Sequence, residues 1–224
     1  MKTLSLSLSV LLFACAISTA AELKPAMISW LSAQTNLQSW SADFVQTRVL
    51  KSLTQPLTAT GHVWFKAPNR FRWELGQPVQ TIAARAATDL LVVYPLLKRA
   101  EKYPLTSDQT GPWQDALGLL EAGFPRSQAE LENQYNLLSQ VVTNDAAELV
   151  LQPKSAPARR MIPRIKIEFN TKDLSLLGTE LQFSDGSTLR NDFKNAVLNP
   201  SLDAQMFSPQ IPADYKVVEP LKKR

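Results

Sequence analysis

The sequence predicts an α+β protein built around a curled antiparallel sheet of about nine to eleven short strands. Three observations predict this fold. Many short segments alternate apolar and polar residues, as half-buried strands do. Two other segments space their apolar residues at the helical period, one at the N-terminus and one between strands. The strands follow one another directly, which favours an antiparallel meander over a parallel sheet.

The N-terminal segment is typical of a secretory signal peptide. A basic start at Lys2 precedes an apolar stretch over residues 8–14, and small residues end the segment. The apolar stretch is shorter than the ~20 residues that a membrane span needs. We therefore predict a signal peptide over residues 1–21 and a single secreted domain over residues 22–224.

The first elements of the domain follow from the period of the apolar residues. Residues 22–37 predict an amphipathic helix, because apolar residues recur at helical spacings. From Ser41 onward the period changes to two. Residues 61–66 and residues 71–75 alternate apolar and polar side chains most clearly, which predicts two half-buried strands.

Helical spacing returns over residues 113–138, so we predict one or two helices inserted in the middle of the sheet. Strands resume over residues 148–152, 165–169 and 176–183. Asp185-Gly186 then predicts a tight hairpin turn, because it supplies the positive φ angles that such a turn needs.

A sheet of this size cannot stay flat, because strand twist accumulates until the sheet curls or closes. Curling produces a concave apolar face. The predicted helices have apolar stripes that need a partner. We therefore expect the helices to cover the concave apolar face as a plug or lid.

Residues suited to catalysis are sparse. His62 is the only histidine, and the one cysteine, Cys15, lies in the predicted signal peptide. A Ser-His-Asp arrangement would need His62, and the chain has no Gly-x-Ser-x-Gly elbow. Carboxylates on predicted strands, Glu74, Glu168 and Glu180, leave a paired-carboxylate hydrolase as an alternative.

We expect no metal and no cofactor. The domain lacks histidine and cysteine at metal-ligand spacing and lacks the glycine motifs that bind phosphates. The formal net charge is only +4, and basic and acidic residues are interspersed along the chain. This charge pattern does not favour a nucleic-acid partner. Lipid attachment at Cys15 is an alternative that the bulky Phe13 disfavours.

Several motifs are similar to those of a known family. Phe44-Val-Gln46 matches the pattern Phe-x-Gln, and the segment from Gly61 to Trp73 matches Gly-x-x-Trp-x-Lys-x-Pro-x-x-Phe-x-Trp. Tyr94-Pro95 and the Asp185-Gly186 turn follow in the same order. The domain resembles the periplasmic lipoprotein carriers, the LolA-like family, over nearly all of its length.

The resemblance implies an incomplete antiparallel β-barrel whose hydrophobic cavity is covered by helices, in a periplasmic protein without enzymatic activity. Such a carrier takes lipoproteins from an inner-membrane transporter to an outer-membrane receptor and binds their acyl chains, or another lipid. Phe71 matches a cavity-lining aromatic residue of the family, and alternation places Trp73 and Leu75 on its face. The expected cavity residues are Val63, Phe65, Phe71, Trp73, Leu75, Leu117, Leu120, Ile165, Ile167 and Phe169.

Ala67 departs from the family pattern. Well-studied carriers have an arginine at this place, before the proline, that hydrogen-bonds lid carbonyl groups and holds the cavity shut. Arg70 and Arg72 lie nearby at other positions, and alternation should direct Arg72 away from Phe71. We therefore expect lid control to differ in this chain.

Two other functions remain open. A periplasmic sensor would use the same half-barrel to detect lipidated proteins. A periplasmic hydrolase would need His62 or a carboxylate pair inside the cavity. For the carrier we expect a monomer.

Overall fold

A computed structural model describes residues 23–86, 88–105 and 127–220. Three α-helices lie in these ranges: α1 (Pro25–Thr35), α2 (Gln128–Gln134) and α3 (Ala156–Met161). The strands are β1 (Ser39–Val49), β2 (Leu57–Lys66), β3 (Arg70–Leu75), β4 (Thr81–Arg85), β5 (Asp89–Tyr94), β6 (Arg99–Pro104), β7 (Tyr135–Val142), β8 (Ala146–Pro153), β9 (Arg164–Asn170), β10 (Leu176–Gln182), β11 (Thr188–Leu198) and β12 (Lys216–Val218). None of the helices in these ranges has the length and apolar character to cross a membrane.

The strands of the described ranges form one open sheet in the order β12-β6-β5-β4-β3-β2-β1-β11-β10-β9-β8-β7. All neighbouring strands are antiparallel except β12, which runs parallel to β6. The predicted antiparallel, incomplete barrel is confirmed, because β12 and β7 remain edges and the sheet does not close. The sheet has twelve strands, more than predicted, and β7 begins where the sequence predicted the end of a helix.

The sheet has two chemically different faces. Side chains alternate along each strand, and cross-strand partners share a face. We call the inner face the side that carries Phe44, Val63 and Trp73, since Val63 lies opposite Trp73 in the register. We call the outer face the side that carries Asp43 and His62, which are also opposite each other.

Helix α1 packs on the inner face. Met27 and Trp30 are fully buried in a core that includes inner-face residues of β1, β2, β8 and β9. The Trp30 ring stacks on Phe169 with the ring centroids 4.9 Å apart and the planes 13° apart. This stacking fixes α1 against one half of the sheet.

Two sequence predictions about the helices need correction, and one further helix lies where none was predicted. Helix α1 is shorter than residues 22–37, and it begins at Pro25, which tolerates a first-turn position. The predicted helix over residues 113–138 ends too late, because Tyr135 already has extended backbone and pairs with Pro153 of β8. Residues 106–126 lie outside the described ranges. Helix α3, which starts beside Pro157, was not predicted.

Gly61 allows β1, β2 and β3 to pack closely. It lies opposite Phe44 of β1 and opposite Leu75 of β3. A Cβ at this position would overlap both the carbonyl oxygen of Glu74 and the ring of Phe44. The Phe44 ring therefore covers Gly61, and this position has no space for a side chain.

An ion-pair network crosses the outer face between β9 and β11. The Arg190 guanidinium donates two hydrogen bonds to Glu168, of 3.0 and 2.7 Å, and a third to Asp192 of 2.7 Å. Gly178 of β10 lies between these carboxylates in the register and has no side chain to obstruct the contact. The Arg190 hydrogen bonds hold the pKa of the Glu168 carboxyl below its ordinary value.

The Gly61→Ala substitution should lower the free energy of unfolding by about 1–3 kcal/mol, because the new methyl group must displace the Phe44 ring or the backbone of β3. Urea denaturation of the two proteins measures the change. Thr58→Ala, an exposed position on the same strand, is the control and should change stability by at most about 0.5 kcal/mol. Equal effects of the two substitutions would contradict the close packing at Gly61.

The Arg190→Gln substitution should destabilise the protein at neutral pH by about 1 kcal/mol, since it removes a bidentate, partly exposed ion pair. The folded-state pKa of Glu168 is lowered, so this stabilisation is present above the unfolded-state pKa of about 4.3 and is lost as the pH falls through the folded value. Denaturation midpoints of both proteins across this range should therefore converge in acid. A constant difference at all pH values would contradict the assignment.

Candidate functional site

A cavity of about 240 Å³ lies on the inner face. It is partly open, and its wall is mainly apolar and aromatic. The apolar lining residues are Phe44, Phe71, Trp73, Leu75, Ala83, Ile165, Leu176, Leu181, Leu189 and Phe193. The polar lining residues are Gln46, Arg48, Thr81, Thr179 and Asn191.

The curvature of the sheet creates this cavity. Residues of β4 and β9 line the same space, although six strand-to-strand steps separate these strands in the sheet. In a flat sheet, at about 4.8 Å per step, the two strands would lie about 29 Å apart. Accumulated twist and coiling must therefore bring β4 and β9 toward each other.

Three aromatic rings that contact one another form part of the wall. The Phe44 and Trp73 rings meet edge to face with centroids 4.7 Å apart. Phe193 lies within 6.3 Å of Phe44 and 6.1 Å of Trp73. Because the rings pack against one another, they hold their places in the wall and leave the adjoining space unfilled.

A row of hydrogen-bonded polar side chains crosses the inner face within this apolar wall; we call it the polar row. Arg48 Nε donates to Gln46 Oε1 at 2.9 Å, and Gln46 Nε2 donates to Asn191 Oδ1 at 3.1 Å. Asn191 Nδ2 donates in turn to Thr179 Oγ1 at 3.4 Å. Gln46 and Asn191 are buried, so the Gln46 amide N–H depends on the Asn191 oxygen as its acceptor.

A second polar group lies on the inner face beside Phe71, on strands β4 to β6. Arg85 is the cross-strand partner of Phe71, and Tyr103 packs in the same small cluster. The Tyr103 hydroxyl donates to Glu101 Oε2 at 2.7 Å. Burial raises the pKa of Tyr103 above its ordinary range, and burial lowers the pKa of Arg85.

The structure divides the residues expected to line the cavity. Phe71, Trp73, Leu75 and Ile165 line the cavity described here. Four other expected residues lie in the packed core with α1 and not in the cavity wall, namely Val63, Phe65, Ile167 and Phe169. These four residues also lie on the inner face, but in the half of the sheet that α1 covers. Leu117 and Leu120 lie outside the described residues.

Ala67 stands where the resemblance implies an arginine in the well-studied carriers, and it directly follows β2. Its N–H donates to the carbonyl oxygen of Gln38 at 2.8 Å, and its methyl group packs against the core. This side chain has no hydrogen-bond donor. Arg72 lies on the outer face, where it donates to Glu74 at 2.7 Å and to the carbonyl oxygen of Met206 at 2.8 Å.

The residues that a hydrolase would need lie on the outer face. His62 Nδ1 is 2.7 Å from Asp43 Oδ1, and the His62 ring packs on Trp64. Asn195 donates to the other Asp43 oxygen at 2.8 Å. These hydrogen bonds lower the pKa of Asp43. Glu74, Glu168 and Glu180 also lie on this face, opposite His62, Gly178 and Arg190 in the register.

Sequence reasoning missed most of the polar row. The Phe-x-Gln motif includes Gln46, but no motif in the sequence assigns Arg48, Thr179 or Asn191 to the cavity. One signal was available in the sequence. Gln46 and Arg48 lie two and four positions after Phe44 on one strand, so their side chains share its face. The strand pairing that brings Asn191 opposite Gln46 joins distant parts of the chain and has no local signal.

The Asn191→Ala substitution should lower the free energy of unfolding by about 1–3 kcal/mol, because it leaves the buried Gln46 amide without its acceptor. Thermal or urea denaturation measures this loss. Asn136→Ala, an exposed asparagine on β7, is the matched control and should lose at most about 0.5 kcal/mol. Replacing both Gln46 and Asn191 by leucine should cost less than Asn191→Ala; a larger cost would contradict this account of the polar row.

Comparison with known proteins places this fold and cavity in context. The family model described as outer membrane lipoprotein carrier protein LolA matches residues 35–210. The outer-membrane lipoprotein carrier protein of Chromohalobacter salexigens is 26% identical over 184 residues, which cover 82% of this chain and 81% of that protein.

A solved structure shares the fold at low sequence identity. An uncharacterized conserved protein from Thermus thermophilus superposes with a TM-score of 0.50 at 12% identity, covering 86% of this chain and 97% of that one. A MucA/MucB complex structure from Pseudomonas aeruginosa has a TM-score of 0.44 at 15% identity, covering 86% of this chain and 62% of that one. Because the family model spans most of the domain that carries the cavity, the chain belongs to the LolA family.

Proposed function

We propose that this protein is a periplasmic carrier that binds acyl chains of lipoproteins, or of a related lipid, and moves them from the inner to the outer membrane. The observation that carries the proposal is the unfilled, aromatic-walled cavity on the inner face. Membership of the LolA family supports it. We further propose that the carrier acts alone as a monomer, after removal of a signal peptide over residues 1–21.

The physical advantage of such a cavity is the removal of hydrocarbon from water. Burial of one CH₂ group contributes about 0.8 kcal/mol, so a chain of ~16 carbons gains on the order of 12 kcal/mol at most. The Phe44, Trp73 and Phe193 rings offer a preformed apolar surface. Less reorganisation is then required on binding than in a collapsed pocket.

Transport also requires release. A ligand moves between proteins only if the receiving site binds it more tightly or if the donor site changes its affinity. The cavity is partly open, and Ala67 has no side-chain donor to tie a lid over it. Both features favour a carrier that gives up its ligand to an outer-membrane receptor and accepts it from an inner-membrane transporter.

We also propose that the protein has no catalytic activity. The residues that line the cavity in the described ranges include neither histidine nor a carboxylate. His62 and Asp43 are paired on the outer face, on the side of the sheet away from the Trp73 ring. Binding without bond cleavage is the function that these positions support.

Leu181→Glu should reduce the acyl lipid that co-purifies with the protein by about tenfold or more, because it introduces a charge into an apolar wall. Leu181 lines the cavity and is partly exposed, so the fold should tolerate the change. The measurement is mass spectrometry of lipids extracted from protein purified from the periplasm. Leu138→Glu on β7, where the leucine is 44% exposed, is the matched control and should retain lipid.

Undiminished lipid in Leu181→Glu would contradict the assignment of the cavity. The same variant, expressed in place of the natural protein, should leave lipoproteins in the inner membrane, as membrane fractionation would show. Normal lipoprotein distribution together with a changed signalling response would instead support the sensor alternative.

A further inference from the structure

Arg48 is the one charged side chain among the cavity-lining residues in the ranges that the structure describes. It lies near the end of β1, and its neighbours across the sheet are Leu57 of β2 and Leu189 of β11. Leu189 also lines the cavity. The guanidinium therefore stands at an exposed rim beside an apolar wall.

The polar row fixes the orientation of this guanidinium. Arg48 Nε is occupied by Gln46, and Gln46 is held in turn by Asn191. Because Gln46 and Asn191 are buried, the anchor is more rigid than a surface contact. Among the described residues, none accepts a hydrogen bond from the two terminal nitrogens of Arg48. A planar guanidinium donates through these nitrogens to a carboxylate or phosphate.

The charge of Arg48 is not neutralised within the described residues. No carboxylate there lies within ion-pair distance of it, whereas Arg72, Arg99 and Arg190 each pair with an acidic residue. Asp185, in the turn at this end of β10 and β11, is engaged with the Ser187 N–H at 2.8 Å. An anion from outside the protein is the partner that this arrangement lacks.

We propose that Arg48 anchors the head group of an anionic acyl amphiphile, whose tail occupies the cavity. The proposal rests on the proposed function, since it specifies the chemical class of the ligand for the same site. Arg48 lies four positions after Phe44 along β1, a span of about 13 Å at ~3.3 Å per residue. A tail lying on the Phe44 and Trp73 rings then has its head group at the guanidinium.

Three probes with the same tail test the proposal: dodecanoate, dodecyl phosphate and methyl dodecanoate. Each is titrated by calorimetry into delipidated secreted protein, below its micellar concentration and above the pKa of the carboxyl group. The two anionic probes should bind about tenfold more tightly than the neutral ester, as a charge-assisted hydrogen-bonded pair predicts. Arg48→Met should bring all three probes to the affinity of the ester.

Arg164→Met is the matched control. Arg164 is an exposed arginine on β9, and it lies on the outer face because the adjacent Ile165 lines the cavity. This variant should keep the preference for the anionic probes. Arg48→Lys should keep part of the preference, because it retains the charge but loses the planar fork.

The outcomes separate this proposal from the carrier function. If the ester binds as tightly as the anionic probes, or if Arg48→Met keeps the preference, the head-group assignment is wrong and acyl binding stands. If none of the three probes binds, both proposals are wrong. Inorganic phosphate alone should not compete with dodecyl phosphate; effective competition would identify a site for free anions and overturn the head-group assignment.

Discussion

The curvature of a single open sheet is the constraint on which the rest of this structure depends. It brings β3 and β4 to face β9 and β10 across a common space. Helix α1 covers the other half of the inner face, where Trp30 stacks on Phe169. A flat sheet would offer an exposed apolar surface, and a fully covered one would offer only a core. The cavity exists because the curved inner face extends beyond the part that α1 covers.

The chemistry of the inner face changes along β1. Phe44 belongs to the aromatic wall, Gln46 belongs to the buried polar row, and Arg48 stands at the rim. A purely apolar pocket would bind any hydrocarbon of suitable shape. A pocket whose polarity increases toward one end also orients a ligand, because an amphiphile has one arrangement that satisfies both of its ends.

The sequence predicted the faces of the strands better than the extent of the cavity. Alternation correctly placed Phe71, Trp73 and Leu75 on one face, because a period of two is a local property of the chain. It could not separate Phe71, which lines the cavity, from Phe169, which packs under α1. That distinction depends on where a helix docks. The pairing of β1 with β11 likewise joins distant segments and has no local signature.

We propose that the hydrocarbon of the ligand lies on the inner face between β3 and β10. The most direct test is the crystal structure of the protein with a bromine-labelled fatty acid, in which anomalous scattering locates the bromine atom. We predict a bromine position within the space bounded by Trp73, Leu181 and Phe193. A bromine found on the outer face, or a complex in which the inner face stays empty, would contradict the claim.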